Sequence, residues 1–281
     1  MNYRHAFHAG NFADIHKHCL LIALVTYLKQ KDKPFWVLDT HAGLGRYDLG
    51  GDEAARTGEY HAGIARLIDA PDLPPEAAEL CRIVRQVNDG AADTLRFYPG
   101  SPLIMRSLLR RKDRLVACEL HPQDAAVLKE IFAGDYQVKI HHLDGYLAAK
   151  AFLPPKLRRG LVLIDPPFEA TDEFDRLAGA LADAHKRWPG GIYAAWYPLK
   201  DQRRVDRFHK MLQATGIPGL LSCELTVGKM QADTFSGSGL IVANPPWTFP
   251  QTAEILSSRL TTILQQWSGP AWRVDWLSPP L

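Results

Sequence analysis

Short apolar runs rich in β-branched residues alternate along the chain with longer stretches in which apolar positions recur every three or four residues. The first pattern suits strands buried on both faces and the second suits helices with one buried face, so the alternation predicts a mainly parallel sheet covered by helices. Seven runs read as strands: FWVLD (35–39), RLVACE (114–119), QVKIHH (137–142), GLVLID (160–165), GIYAAWY (191–197), LLSCELTV (220–227) and SGLIVAN (238–244). About ten residues join the sixth to the seventh, too few for a crossover helix, so the seventh should run antiparallel to the sixth. The expected fold is α/β, with a seven-stranded, mainly parallel sheet.

Other segments fall outside this sheet. Residues 11–30 read as a helix opened by Asn11 or Asp14, with the apolar stripe Ile15, Cys19, Ile22, Leu24 and Leu28. Residues 48–97 carry helical periodicity and no good strand, so they read as a small helical insertion that divides a larger domain into 1–47 and 98–281. Phe249 to Trp267 reads as a further helix, and AWRVDWL (271–277) alternates like an edge strand. One motif occurs twice: GLVLIDPPFEA (160–170) and GLIVANPPWTF (239–249) both break at a small acid or amide, two prolines and an aromatic ring.

Composition narrows the function classes. With 281 residues, 46% hydrophobic and 23% charged, the chain is an ordinary globular one. It holds no apolar run long enough to span a membrane, and its start, MNYRHAFHAGNFADIHKH, lacks the core of a signal peptide, which points to the cytoplasm. The four cysteines, at 19, 81, 118 and 223, have no C-x-x-C spacing, so neither a disulfide framework nor a zinc ribbon is expected. His5, His8, His16 and His18 crowd together, but no cysteine or acid completes a familiar zinc spacing, and no metal is expected. They read as hydrogen-bonding groups around a nucleoside, with some as core or surface histidines. A net charge of +2 leaves nucleic-acid binding to local clusters. PLKDQRRVDRFHK follows the fifth strand on the ligand side, which makes Arg203, Arg204, Arg207 and Lys210 candidates for phosphate contacts. An ordinary exposed helix fits that segment equally well.

The strand ends carry the chemistry. In VLDTHAGLGRY the first strand stops at Asp39 and turns through His41, Gly43 and Gly45, a turn whose backbone N–H groups can approach a ligand. The second strand ends in Glu119, placed to accept both ribose hydroxyls of a nucleoside cofactor. The third leads into HHLDGYL, where Asp144 can accept from an exocyclic adenine amine. The fourth ends in DPPF. Four consecutive parallel strands thus bring polar groups to the end where ligands of open α/β sheets bind. An exocyclic amine is a poor nucleophile, because its lone pair is delocalised into the ring. Asp165 and the Pro166 carbonyl can accept its two hydrogens, Phe168 can stack on the base, and a neighbouring sulfonium would supply a methyl group. Such a base must be unpaired or flipped. The antiparallel seventh strand should carry NPPW to the opposite end, roughly 17 Å away at about 3.3 Å per residue. There Asn244 should turn the chain, the prolines should stop the ladder, and Trp247 should pack beneath the next helix.

DTHAGLG, DPPF and the strand order resemble class I, Rossmann-like S-adenosylmethionine-dependent methyltransferases. More narrowly, YRHAFHAGNFADIHKH, the helical insertion, GSPLI, ELHP, HLDGY and SGSGLIVANPPW resemble the RlmJ family of 23S rRNA (adenine(2030)-N6)-methyltransferases, over essentially the whole chain. The resemblance implies S-adenosylmethionine as cofactor and 23S rRNA as partner, either protein-free or in an early assembly intermediate. It implies that His18, His41, Ser101, Glu119, Asp144, Gly145 and Asp165 line the cofactor pocket, that Asp165 is the proton acceptor, and that Tyr3, His5 and Lys17 lie near the entering adenosine. Phe168 is a departure, since many adenine-amino methyltransferases have tyrosine there. Guanine-N2 rRNA methyltransferases also use D-P-P-[FY], so they remain an alternative, as does a DNA adenine-N6 methyltransferase. A non-catalytic RNA-binding protein with a dead cofactor pocket is a third, against which the intact Glu119, Asp144 and Asp165 argue.

Overall fold

The computed structural model describes residues 4–89, 95–231 and 234–280. Its first half contains α1 (Phe12–Lys29), β1 (Trp36–Asp39), β2 (Arg46–Asp48), α2 (Asp52–Thr57), α3 (Ile64–Ile68), α4 (Pro75–Val87), β3 (Phe97–Pro99), α5 (Ser101–Leu108), β4 (Arg114–Glu119) and α6 (Pro122–Ile131). There follow β5 (Val138–His142), α7 (Gly145–Ala151), β6 (Gly160–Ile164), α8 (Glu173–Arg187), β7 (Ile192–Leu199), α9 (Gln202–Ala214), β8 (Leu220–Thr226), β9 (Gly237–Ala243), α10 (Phe249–Leu264) and β10 (Ala271–Ser278).

All seven expected strands join one sheet, in the order β10-β8-β9-β7-β6-β1-β4-β5. β1 pairs in parallel with β4 and β6, and the parallel set extends to β5 and β7. β9 runs antiparallel to both β7 and β8, as its short connection requires. The sheet has eight strands rather than seven, because the alternating segment at the chain's end pairs antiparallel with β8 as β10. Alternation marked it as an edge strand but could not say which sheet it would extend.

Two hydrophobic layers cover the sheet. On one face α1, α4, α5, α6 and α10 contribute to a core with Leu115, Leu161 and Leu240, and on the other α8 and α9 enclose Leu38, Val162 and Ile164. Among the described residues the insertion has no separate core: Leu67, Leu80, Ile83 and Val84 join the layer that contains α1. Each end of the insertion lies in a short strand, since β2 and β3 pair antiparallel from Arg46↔Pro99 to Asp48↔Phe97. The expectation that 48–97 held no strand therefore misses this ribbon, whose three-residue strands are too short to show a period.

α1 also departs from expectation, because it is buried all round instead of along one stripe. It touches β9, α4, α5 and α10, so no side of it is left to water over most of its length. Asn11 starts it, accepting from the N–H groups of Ala13 and Asp14 at 2.9 and 3.0 Å. Leu20, Leu21, Ile22 and Leu24 are fully buried, each worth about 1.5–3 kcal/mol. That stabilisation offsets the burial of five polar side chains in the helix's first half, Asn11, Asp14, His16, Lys17 and His18.

Candidate active site

The C-terminal ends of β1, β4, β5 and β6 open into a cleft of about 710 Å³. His5, Lys17, His18, His41, Gly43, Ser101, Glu119, Asp144, Gly145, Asp165, Pro166 and Phe168 all line it. Gly45 does not. Its φ is +78°, and a Cβ there would lie 2.6 Å from Leu128 Cδ1, so packing against α6 requires this glycine. Gly43, also left-handed with φ +61°, is kept bare by the Tyr47 hydroxyl, 2.1 Å from where a Cβ would sit.

Backbone donors aim the Glu119 carboxylate. Gly43 N–H donates to its Oε2 at 2.8 Å and His121 N–H to its Oε1 at 2.7 Å. Each oxygen keeps a second lone pair for a ligand hydroxyl. Asp144 caps α7, with Oδ1 accepting from the N–H groups of Tyr146 and Leu147 at 2.9 and 3.0 Å. Gly145 lets α7 start against the β1 turn, since a Cβ would come within 2.3 Å of Thr40 O and 2.6 Å of the His41 ring. The Thr40 hydroxyl gives its one proton to Leu163 O at 2.9 Å, so it accepts from His41 Nδ1–H at 2.7 Å. His41 Nε2 is then an acceptor, and burial keeps the ring neutral by lowering its pKa to about 4.

Asp39 lies beneath this turn, fully buried, accepting from the Ser101 hydroxyl at 2.6 Å and from His41 N–H at 3.3 Å. Burial raises its pKa to about 7, against the pull of the Ser101 hydrogen bond and with help from the nearby charge of Asp165. Sequence reasoning used Asp39 only as a strand terminus and gave it no role in the site.

Asp165 is the first residue after β6. Lys17 reaches it across 148 positions of sequence, with Nζ 2.6 Å from Oδ2 and 3.1 Å from Asp14 Oδ1. Asp14 also accepts from Gly10 N–H and pairs with His5 Nε2, both at 2.9 Å. Burial pushes the Asp14 carboxyl up, but His5 and Lys17 outweigh it and hold the group well below the usual carboxylate range. Two residues expected near the substrate, His5 and Lys17, thus form one chain with Asp14 that ends on Asp165. Tyr3 lies outside the described residues.

Phe168 has φ +52°, a left-handed conformation that a side chain beyond glycine, asparagine or aspartate rarely adopts. Its ring sits edge-on to Phe174 and Trp196, with centroids 4.9 and 5.7 Å away. Trp196 lines the cleft and donates Nε1–H to Ser238 Oγ at 3.0 Å. Phe235, Tyr146 and Glu173 line it too, and the Tyr146 hydroxyl donates to Glu173 at 2.6 Å. Sequence reasoning passed over Trp196, Tyr146 and Glu173. A signal existed for Trp196, which lies near the C-terminal end of the strand beside DPPF.

The N-terminal histidines go to separate partners. His8 meets Glu59 at 3.0 Å, His16 meets Ser238 at 3.0 Å, and His18 meets the Tyr98 hydroxyl at 2.7 Å. Burial lowers His16 and His18 to about 3, so both are neutral. On α9, Arg203, Arg204 and Arg207 are exposed and lie outside the cleft lining. Arg204 donates to Thr171 O at 2.8 Å and stacks on Phe174, while Arg207 pairs with Asp175 at 3.3 Å. The helix therefore leans on the loop that follows DPPF.

NPPW lies at the other end of the sheet, where the close of β9 meets the start of β7 at Tyr193↔Ala243. Asn244 donates from its side-chain amide to Pro189 O and Gly191 O at 2.6 and 2.8 Å. The expected packing of Trp247 beneath α10 does not occur: its side chain is 85% exposed, because the chain enters α10 two residues later with Phe249 as the buried ring.

The sequence model of the family described as "Ribosomal RNA large subunit methyltransferase D, RlmJ" matches residues 32–278. The chain is 44% identical over 282 residues to ribosomal RNA large subunit methyltransferase J of Haemophilus influenzae, covering 99% of each chain. It is 46% identical over 252 residues to the Escherichia coli protein of the same name, covering 89% of each. A crystal structure of a Legionella pneumophila protein, 34% identical, superposes with a TM-score of 0.87 over 95% of this chain and 98% of that one.

Proposed function

The chain belongs to the RlmJ family of ribosomal RNA large subunit methyltransferases, and on that premise we propose that it transfers a methyl group from S-adenosylmethionine to N6 of an unpaired adenine in 23S rRNA, adenine 2030 by resemblance. The observation that carries the chemistry is the position of Asp165 on the cleft, with one carboxylate oxygen held by Lys17 at 2.6 Å.

The residues present fit this cofactor. Buried Asp39 has a hydroxyl and an N–H for hydrogen-bond partners, and the nearby charge of Lys17 does not offset its burial, so a ligand bearing positive charge would relieve it. Glu119 would hold the ribose hydroxyls and Asp144 the adenine amine, with His18, His41, Gly43, Ser101 and Gly145 shaping the pocket. Gly45 would act through the turn. When bound, S-adenosylmethionine supplies an electrophilic methyl group.

The chain's own groups would do the rest. Lys17 occupies Asp165 Oδ2, which leaves Oδ1 to accept one amine hydrogen while the Pro166 carbonyl accepts the other. That pairing favours a pyramidal nitrogen whose lone pair can attack, and it gives the departing proton a carboxylate to reach. Phe168, propped by Phe174 and Trp196, would offer a ring face to the base. Tyr3 and His5 would border the adenosine, and Arg203, Arg204 and Arg207 would meet backbone phosphates beside the DPPF loop.

The test is incubation with methyl-labelled cofactor and protein-free 23S rRNA, then nucleoside mass spectrometry and mapping of the label. N6-methyladenosine at a single site is the expected product. N2-methylguanosine, or methylation of matched DNA in preference to RNA, would replace the proposal with one of its rivals. Cofactor binding without any product would leave the dead-pocket reading.

A further inference from the structure

β10 closes one edge of the sheet, pairing with β8 on one side only. Long unpaired edges invite pairing with another chain, and proteins commonly guard them with charge. The charges on β10 are arranged in a particular way. Residues 272–276 read W-R-V-D-W, symmetric about Val274 in everything but the sign of the charge.

We propose that the protein forms a twofold dimer by antiparallel pairing of β10 with β10 of a second copy, centred on Val274. In that register Arg273 lies opposite the partner's Asp275, Asp275 opposite the partner's Arg273, and each Trp272 opposite the partner's Trp276. The charges guard the edge against other strands while matching a second copy of the same one. They also fix the register. A slip of two residues sets Arg273 against Arg273 in one direction and Asp275 against Asp275 in the other, and like charges directly opposite are destabilising.

The faces agree with this pairing. Side chains alternate along a strand, so Trp272, Val274 and Trp276 share one face and Arg273 and Asp275 the other. Arg273 reaches Glu224 on β8 at 3.1 Å and Asp275 at 3.0 Å. On the tryptophan face a shallow groove of about 440 Å³ runs between Trp272 and α10, with Ile255 and Arg259 in its wall. Trp272, Trp276 and Ile255 are 40, 42 and 55% exposed, apolar surface that a twofold pairing would cover twice. Cross-strand aromatic pairs add to such a contact. The antiparallel junction reverses strand direction, so the two clefts open at opposite ends of the joined sheets and each copy keeps its own site.

Light scattering and sedimentation of the full chain at tens of micromolar decide the matter. The expected mass is twice the 31.4 kDa of one chain. Asp275→Arg or Arg273→Asp alone places like charges opposite each other at two symmetric points, and should weaken the dimer by about tenfold or more. The double variant Arg273→Asp with Asp275→Arg restores opposite charges across the junction, and although its carboxylate at 273 faces Glu224 of the same chain, the guanidinium at 275 on the same face pairs with it, so the double variant should recover much of the dimer, which a loss through misfolding would not do. All three variants should keep the wild-type rate of methyl transfer per chain, which certifies their fold. A monomeric wild type overturns the proposal, as does a dimer unaffected by Asp275→Arg.

Discussion

After β6 the chain writes Asp-Pro-Pro-Phe, and after β9 it writes Asn-Pro-Pro-Trp. The backbone answers differently. In the first the left-handed residue is the fourth, Phe168, at φ +52°; in the second it is the first, Asn244, also at φ +52°. Asparagine visits this region readily, with a short amide that can bond nearby carbonyls, and Asn244 bonds two of them. Phenylalanine has no such compensation. Its backbone is held by packing against Phe174 and Trp196, beside the cleft. The scaffold terminus uses the residue type that suits its conformation, and the ligand terminus tolerates a strained one, as functional loops do. The two ends also differ in ionisable groups: Asp165 belongs to a chain through Lys17 and Asp14 to His5, while the Asn244 side chain donates to two backbone carbonyls.

The largest separation between the two ends should appear in catalysis. Asp165→Asn is expected to lower the initial rate of methyl transfer by about 10²–10⁴-fold, the range for losing a positioned proton acceptor, without loss of cofactor affinity. Asn244→Ala should stay within a few-fold of wild type. An Asn244 variant that folds and binds both ligands normally yet transfers no methyl group would erase the distinction.

A smaller difference should be visible in stability against pH. Asp39 has a folded pKa of about 7, raised by burial, above its unfolded value near 4. The folded state therefore holds this proton more tightly than the unfolded state. The resulting stabilisation is full below about pH 4 and is lost as pH rises through about 7. Wild type should thus lose stability relative to Asp39→Asn between those limits, by on the order of one to a few kcal/mol. The neutral His16, His18 and His41, lowered to about 3, 3 and 4, work in the opposite sense, losing stability as pH falls below their unfolded value. They are common to both proteins and cancel in the difference. Thermal melts of the pair across this range that stay parallel, or that diverge the other way, would take Asp39 out of the buried site.

Much of this is legible in the amino-acid sequence. β-branched runs marked the strands because strands buried on both faces need them, and the short link between β8 and β9 set the antiparallel direction. The acids at 119, 144 and 165 lined up because parallel strands end on one side. What stayed hidden depended on partners distant in sequence. Nothing near Lys17 announces Asp165, 148 positions away. The burial of α1 on every side follows from the insertion and α10 closing over it, which no helical period records. The position of Trp247 just ahead of α10 suggests that it packs beneath that helix, but Phe249 takes the place instead. The left-handed Phe168 could not be read either, because proline restricts the residue before it and not the one after.

The smallest expected effect concerns those two left-handed residues, and it asks whether the strain at Phe168 belongs to the backbone or to the ring. Alanine in this conformation costs about 1–2 kcal/mol that glycine avoids, while glycine gives up about 0.5–1 kcal/mol of additional chain entropy on folding. Glycine variants should therefore exceed alanine variants by about 0.5–1 kcal/mol wherever φ stays near +52°. At Asn244 both substitutions lose the same two hydrogen bonds, to Pro189 O and Gly191 O, so the difference isolates the conformation. Asn244→Gly should be the more stable by that amount in denaturant titrations. At Phe168 both substitutions remove the ring that packs on Phe174 and Trp196. If the two prolines and the strand end impose the conformation, Phe168→Gly exceeds Phe168→Ala by the same margin. If the ring's packing imposes it, the loop relaxes once the ring is gone, and the alanine variant equals or exceeds the glycine one. We expect the second result at 168 and the first at 244, because the backbone N–H of residue 244 donates to Gly219 O at 3.1 Å whatever its side chain, whereas Phe168 is held by the packing of its ring. A full margin at both positions would show the two termini to be alike in backbone and different only in what their side chains do.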